Sequence, residues 1–362
     1  MMAQKNILVV DDSALMRRVL CDIINNDERF RVSDTAQNGL EALELLRKNQ
    51  YDAVVLDINM PRMNGLELLQ ELRKAGISAK VMINSTDSRE GAKITLDALE
   101  LGALDFIHKP DNASDCRVDS FKDNLLRVLD VVANSKLPVI FSEGSIQKKH
   151  GDVAKAIETA KRIPSGRKGR KIVAIASSTG GPKSLQSVIP KLPADLDAPV
   201  LLVQHMPPGF TASLAERLNN LSEMIVKEAK EGDMLQSGIV YLAMGGKHMN
   251  VVTASDGKST IHYSDEPSRE GVKPCANYMY ESLSKSSFDQ IVCVVMTGMG
   301  SDGTEGIKNL EANKKIHVIA QDKDSCVVYG MPKSAVNAGL TDQVVPLDQI
   351  AQEIVLNVGV KG

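Results

Sequence analysis

Residues 172–183 read IVAIASSTGGPK, and the order of residue types in that stretch decides the architecture of the second half of the chain. Ile172–Ala176 is an unbroken apolar run. A strand with one wet face alternates apolar and polar residues, whereas an unbroken run suits a strand covered on both faces. The run ends on Ser177 and Ser178, followed by Gly180-Gly181, which permit a tight turn, and by Pro182, which suits a first helical turn. Strand, glycine turn and helix together open a βα unit. Such a turn exposes a side chain at the sheet edge and aims backbone N–H groups at whatever binds there.

The same grammar extends outward. Further strands are expected at Pro199–Val203, Ile239–Ala243, Ile291–Met296 and His317–Ala320. Helices are expected at Lys183–Ile189, Thr211–Leu221, Ala276–Ser284, Thr304–Ala312 and Pro332–Asn337, with loops at Ala254–Thr260 and Gly271–Asn277. The N-terminal part repeats the pattern with different motifs. Ile7–Val10, Ala53–Leu56, Lys80–Ile83 and Leu104–Ile107 are apolar runs, and Ser13–Ile24 carries Leu15, Val19 and Ile23 at helical spacing. The stretch between, with QKKHGD, AKAIETAKR and PSGRKGRK, lacks an apolar period and reads as a linker. A surface helix over Asp152–Arg162 fits that stretch nearly as well. The expected fold class is α/β, with two domains at 1–130 and 171–358 joined by a linker at 131–170. Each is a doubly wound, mostly parallel sheet with helices on both faces.

The chain of 362 residues has a net charge of −3, no Trp and 3% aromatic residues, which offers little to a polyanion or to stacked bases, so no nucleic-acid partner is expected. No segment reaches the ~18 apolar residues of a membrane span, so direct membrane insertion is not expected. The start, MMAQKNILVVDDS, has no long apolar stretch before a small-residue cleavage site, so a secretory signal is not expected. Five dispersed cysteines without a CxxC pair suit reduced thiols, and a cytoplasmic location is expected.

In parallel sheets, ligands bind outside the carboxyl ends of the strands. The first domain places Asp11 and Asp12, then Asp57, then Ser85 or Thr86, then Lys109 at those ends. A single strand-end aspartate is more often a helix cap, but five such positions on one edge point to a site. Clustered carboxylates need a counter-charge, and oxygen ligands suit Mg2+. Asp57 could then act as a nucleophile on a phosphoryl group, with Lys109 neutralising the transferred oxygens. The segments ILVVDDSALMRRVL, AVVLDINMPRMNGLELL and LELGALDFIHKP resemble a response-regulator receiver domain over about residues 1–130. The resemblance implies a flavodoxin-like sheet and phosphorylation of Asp57 by a histidine kinase. It also implies Mg2+ ligation by Asp12, Asp57 and the Asn59 carbonyl with Asp11 assisting, and a Lys109 contact to the phosphoryl group. The switch hydroxyl stays open: spacing back from Lys109 favours Ser85, while the preceding apolar run could place Asn84 there with Thr86 nearby.

The second domain supplies a serine, and a serine nucleophile needs a base with an orienting group behind it. LLVQHMPPGF puts His205 at a strand end, and VVMTGMGSDGTEG puts Asp302 in a glycine loop after another strand. Two competing readings remain. Gly298–Gly303 fits GxGxxG, with Asp322 about twenty residues on, as in a dinucleotide site, although that fingerprint usually opens a domain. His248 in GGKHMNV could serve as base in place of His205.

ASSTGG, QHMPPGFT, GGKHM, TGMGSDG and CVVYGMP, in this order over Lys171–Val358, resemble the chemotaxis-receptor methylesterases of the CheB family. The resemblance implies a Rossmann-like domain with Ser178 as nucleophile, His205 as base and Asp302 as orienter. Thr179 and the Met299 backbone would lie around the oxyanion, and Ser177 would be a bystander. The implied reaction, which needs no cofactor, is hydrolysis of glutamyl methyl esters on methyl-accepting chemoreceptors, with glutamine deamidation as a second activity. Domain order adds an expectation of inhibition by the unphosphorylated receiver. One segment departs from the family pattern. Where many members carry Arg/His-Pro-Ser-x-Asp, this chain reads Val272-Lys273-Pro274-Cys275-Ala276-Asn277, a change expected to bear on substrate choice and to leave the triad untouched. A non-catalytic receptor-binding adaptor is the alternative from another functional class, and a dinucleotide-dependent oxidoreductase is a third.

Overall fold

The apolar runs are parallel strands in the computed structural model, which describes residues 4–85, 89–109, 119–135, 158 and 169–361. The chain divides into two compact units, residues 1–142 and 143–362.

The first unit holds β1 (Lys5–Val10), β2 (Phe30–Ala36), β3 (Ala53–Asp57), β4 (Val81–Ser85) and β5 (Asp105–His108) in the order β2-β1-β3-β4-β5, all neighbours parallel. Helices α1 (Ala14–Asn25), α2 (Gly39–Lys48), α3 (Gly65–Lys74), α4 (Arg89–Leu101) and α5 (Asp119–Asn134) connect and follow them. Ile7–Val10 and Ala53–Leu56 are buried, as unbroken runs require. The sequence gives no comparable run for β2, because Arg31, Ser33 and Asp34 interrupt an edge strand that is only partly covered. Local polar residues set the helix starts. Ser13 Oγ accepts from the Met16 amide at 3.3 Å, and Asn64 and Glu67 form a reciprocal capping box at 2.9 and 2.8 Å. The chain leaves β1 in one direction and returns to β3 on the other side, so the switch point lies between the ends that carry Asp11, Asp12 and Asp57.

The second unit is a seven-stranded parallel sheet. Its strands are β6 (Lys171–Ser177), β7 (Val200–Gln204), β8 (Ile225–Glu228), β9 (Ile239–Leu242), β12 (Gln290–Val295), β13 (Lys315–Gln321) and β14 (Gln343–Val345). Their order is β14-β13-β12-β6-β7-β9-β8. An antiparallel hairpin, β10 (His248–Thr253) with β11 (Ser259–Ser264), stands apart. Helices α6 (Gly181–Val188), α7 (Phe210–Leu221), α8 (Ala276–Ser282), α9 (Thr304–Glu311), α10 (Met331–Asn337) and α11 (Ile350–Val358) complete the unit. Ala174, Ala176, Leu201, Val203, Cys293 and Val295 are buried in one core cluster. The switch point falls between β6 and β12, so ligand chemistry is expected where β6, β7 and β12 end.

The expected loop over Ala254–Thr260 is a correction: it is a turn at Ser255-Asp256 that already enters β11 at Ser259. The hairpin buries Val251 and Ile261 on one side and leaves Val252 half exposed, so its apolar content is too thin to read as a buried strand. The end of the expected 271–277 loop, Ala276-Asn277, opens α8. Helix α5 runs on to Asn134, and the Arg170 amide donates to Asp289 Oδ2 at 2.8 Å within the second unit. Most of 131–170 lies outside the described residues, including Asp152–Arg162 apart from Glu158. Among the described residues no helix is long and apolar enough to cross a membrane.

Candidate functional site

At the edge of the first sheet, one donor atom each from Asp11, Asp12 and Asp57 lies within 4.8 Å of the others. Asp11 and Asp57 are buried and Asp12 is exposed. Lys109 Nζ donates to Asp11 Oδ2 at 2.8 Å and to Asp57 Oδ2 at 2.9 Å, and the Ile58 amide donates to Asp57 Oδ1 at 2.8 Å. Burial raises the Asp57 carboxyl above its ordinary value, the Lys109 ammonium opposes this, and the Asp11 carboxylate adds to it. An all-oxygen cluster with surplus negative charge is the donor set a hard divalent cation takes. Asn59 lies exposed two residues past the end of β3. The register pairs Asp57 with Asn84, so Ser85 stands one step further toward the edge. Ser85 is buried and its hydroxyl accepts from Thr95 Oγ1 at 2.6 Å. Asn84 is buried with both side-chain polar atoms unpaired among the described residues, and Thr86 lies outside them.

In the second unit, β6 and β7 pair with Ser177 opposite Gln204, so Ser178 and His205 each stand one residue past the ends of adjacent strands. The His205 amide donates to the Ser177 carbonyl at 3.1 Å. The Ser178 turn is pinned on three sides. Its amide donates to the Thr297 carbonyl at 3.0 Å, its carbonyl accepts from the Gly181 amide at 2.7 Å, and Gln204 Nε2 reaches the same carbonyl at 2.9 Å. Gly180 closes the turn at φ +76°, a left-handed conformation glycine adopts without strain. Gly298 lies so close that a Cβ there would stand 2.7 Å from Ser178 Cβ.

His205 Nε2 lies 2.7 Å from Asp302 Oδ2. Asp302 is buried. Burial alone would raise its carboxyl, but hydrogen bonds from His205, Cys275 and the Ala276 amide outweigh it and hold the group below its ordinary value. With Nε2 donating to the carboxylate, the lone pair sits on Nδ1, which is buried and makes no hydrogen bond among the described residues. The structure thus brings His205 and Asp302 into contact and sets Ser178 on the adjacent strand end, without a closed Ser178–His205 hydrogen bond. Such bonds commonly tighten only when substrate is bound.

Ser177 points away: its hydroxyl donates to Gln204 Oε1 at 2.7 Å. Thr179 is buried, and its carbonyl accepts from Thr297 Oγ1 at 3.0 Å. Met299 is half-buried in the loop that carries Asp302. His248 is held elsewhere: Nδ1 accepts from the Cys275 amide at 3.2 Å, the ring packs 4.6 Å from Tyr278, and burial lowers its pKa. The GxGxxG loop is filled by protein. The Gly298 carbonyl accepts from the Gly330 and Met331 amides, and Asp322 Oδ1 accepts from Ser325. Gln204 and Thr297, which pin the serine turn, went unnoticed in the sequence; their signal is a polar residue at the close of a buried strand.

The atypical segment is a second correction, because it does touch Asp302, the expected orienter. Cys275 Sγ and the Asn277 amide donate to Asp302 Oδ1 at 3.0 and 2.9 Å, and the Ala276 amide donates to Oδ2 at 2.6 Å. Residues 271–277 read as a loop only because their partner, Asp302, is 25 residues or more away in sequence.

Two parallel α/β units, one with a carboxylate cluster and one with Ser178, His205 and Asp302 at its sheet edge, define a response regulator with an appended effector unit. Residues 7–120 match the response regulator receiver domain, and residues 173–354 match the CheB methylesterase model. The chain belongs to the CheB methylesterase family. It is 45% identical over 359 residues (98% of this chain, 99% of the relative) to protein-glutamate methylesterase/protein-glutamine glutaminase 1 of Syntrophomonas wolfei. It is 42% identical over 350 residues (96% and 97%) to the protein-glutamate methylesterase/protein-glutamine glutaminase of Bacillus subtilis. The crystal structure of the Thermotoga maritima CheB methylesterase catalytic domain aligns at 42% identity and a TM-score of 0.49, covering 51% of this chain and 97% of that one.

Proposed function

We propose that this chain is a phosphorylation-activated protein-glutamate methylesterase and glutamine deamidase acting on chemoreceptors. The observation that carries the reading is the 2.7 Å bond from His205 Nε2 to the buried Asp302 carboxylate, with Nδ1 left open beside the strand end that bears Ser178. Its relatives are named for these two activities.

In this reading, His205 Nδ1 takes the Ser178 hydroxyl proton as Oγ attacks the γ-carbonyl of a glutamyl methyl ester. The tetrahedral oxyanion lies against the backbone near Thr179 and Met299. Methanol leaves with the proton from Nδ1. Water, deprotonated by the same nitrogen, then hydrolyses the acyl-serine and frees the glutamate. On a glutamine side chain the leaving group is ammonia. Asp302 stays ionised throughout, fixing the ring and stabilising the imidazolium.

Asp57 is the phosphoryl acceptor, with a histidine kinase as donor. Asp11, Asp12, Asp57 and the Asn59 carbonyl would hold Mg2+, which supplies charge neutralisation for phosphoryl transfer. Lys109 contacts the phosphoryl oxygens and Ser85 is the switch hydroxyl.

The test is methanol release from methylated receptor membranes by wild type and Ser178→Ala, with and without acetyl phosphate. Release that depends on Ser178 and rises with the phosphodonor supports the proposal. Wild type that releases no methanol under either condition leaves the adaptor reading standing.

A further inference from the structure

The Asp302 carboxylate has four donors, two on each oxygen: His205 Nε2 and the Ala276 amide on Oδ2, Cys275 Sγ and the Asn277 amide on Oδ1. A carboxylate offers about four lone-pair sites, so this one is saturated. Asp302 is 2% exposed and Cys275 is 0% exposed, so water cannot replace a lost donor. Three of the four donors are fixed by backbone or by the catalytic ring. The thiol is the one donor whose strength a side-chain change can tune.

We propose that Cys275 is a positioning residue of the esterase site: its S–H sets the charge that Asp302 Oδ1 retains, and through Oδ2 the basicity of the His205–Asp302 pair. The inference rests on the triad reading above. Burial and the nearby Asp302 charge push the Cys275 thiol well up, so it is a protonated donor and not a thiolate. A thiol is a weak donor compared with a hydroxyl. Cysteine therefore leaves more negative charge on Asp302 than serine would, and that charge favours the protonated base. Among the described residues the charged and titratable groups near this pair include Arg269, which feels the Cys275 thiol, and Tyr280, whose phenol burial and the Asp302 charge push up. His205 faces Asp302 from the end of β7. His248 of β10 accepts from the Cys275 amide at 3.2 Å. Glu270 stands one residue removed, accepting from Asn277 Nδ2 at 3.0 Å and from the Ser301 hydroxyl at 2.5 Å.

The experiment is the pH dependence of Ser178 labelling by a fluorophosphonate probe in the full chain, for wild type, Cys275→Ser, Cys275→Ala and Cys275→Val. Labelling needs no receptor, so substrate choice does not enter. The expected order for the midpoint of the acidic limb is Ser lowest, cysteine next, Ala and Val highest. A purely structural role would lower plateau rates in step with thermal stability and leave the midpoints together. Coincident midpoints among variants that melt like wild type overturn the inference while leaving the triad intact. A wild-type chain saturated with acetyl phosphate whose Ser178 takes no probe at any pH overturns the esterase reading and this inference with it.

Discussion

At the residue scale, Asp302 shows how one buried charge ties stability to chemistry. Its carboxyl lies below the ordinary value in the folded chain, so folding favours the ionised form. The stabilisation is therefore complete above the unfolded carboxylate range, about pH 4, and is lost as pH falls through the lower folded value. Asp302→Asn removes that dependence and places an NH2 against two donors on one side of the group. We expect the variant to show a flatter acid limb in denaturant stability between about pH 5 and pH 2. Methanol release should drop about 10⁴-fold, as when a triad orienter loses its charge. An acid limb as steep as wild type's would mean that other carboxylates carry the acid sensitivity. The sequence showed Asp302 as a strand-end carboxylate, but not its four donors, because three of them come from residues 275–277, far away along the chain.

At the element scale, the serine turn is built by close approach, and the approach makes a sharp prediction. A Cβ at residue 298 would stand 2.7 Å from Ser178 Cβ and would also meet Met331 Sδ. Gly298→Ala must push the β12 loop away from the β6 turn. A displacement near 1 Å costs about 10²-fold in rate, so probe labelling of Ser178 should slow by that order in a chain that still folds. Labelling at the wild-type rate would show that the two loops are not in register during catalysis. The atypical segment gives a second prediction. Asn277 Oδ1 accepts from the Gly303 and Gly306 amides at 3.0 and 2.7 Å while Nδ2 donates to Glu270. Asn277→Asp keeps the first pair and sets a carboxylate against Glu270. Glu270 is exposed, which limits the repulsion itself to about 1 kcal/mol, but Asn277 is fully buried, so its new carboxylate also loses hydration. The Tm of the second unit should fall by at least about 2–4 °C, and Glu270→Gln should restore the part due to repulsion. No rescue in the double variant would show that burial of the carboxylate and the lost Nδ2 donor carry the whole fall. Strands with two covered faces were legible as apolar runs, and their polar ends located Ser178, His205 and Asp302. Edge strands β2, β8 and β14 and the β10–β11 hairpin were not, because thin cover lets polar residues interrupt the apolar pattern.

At the scale of the whole molecule, regulation reduces to a population argument. If the unphosphorylated receiver lowers esterase activity, the full chain partitions between a restrained and a competent state, and phosphorylation of Asp57 shifts that balance. Moving such a balance from 1:99 to 99:1 takes about 5.5 kcal/mol of differential stabilisation, which a new phosphoryl group and its contacts must supply. A shift of populations cannot create a state faster than the competent one. The second unit has its own sheet and core. A chain lacking residues 1–169 should therefore release methanol at least as fast as full-length protein saturated with phosphodonor, and should ignore the donor. Asp57→Asn in the full chain should stay at the unphosphorylated rate under the same conditions. Phosphorylated full-length protein that outruns the truncated chain would show that the receiver also contributes actively to turnover, and a truncated chain slower than the unphosphorylated parent would remove inhibition altogether. Ranking the three rates on one receptor preparation decides between restraint and assistance, because each mechanism permits a different one to be the largest.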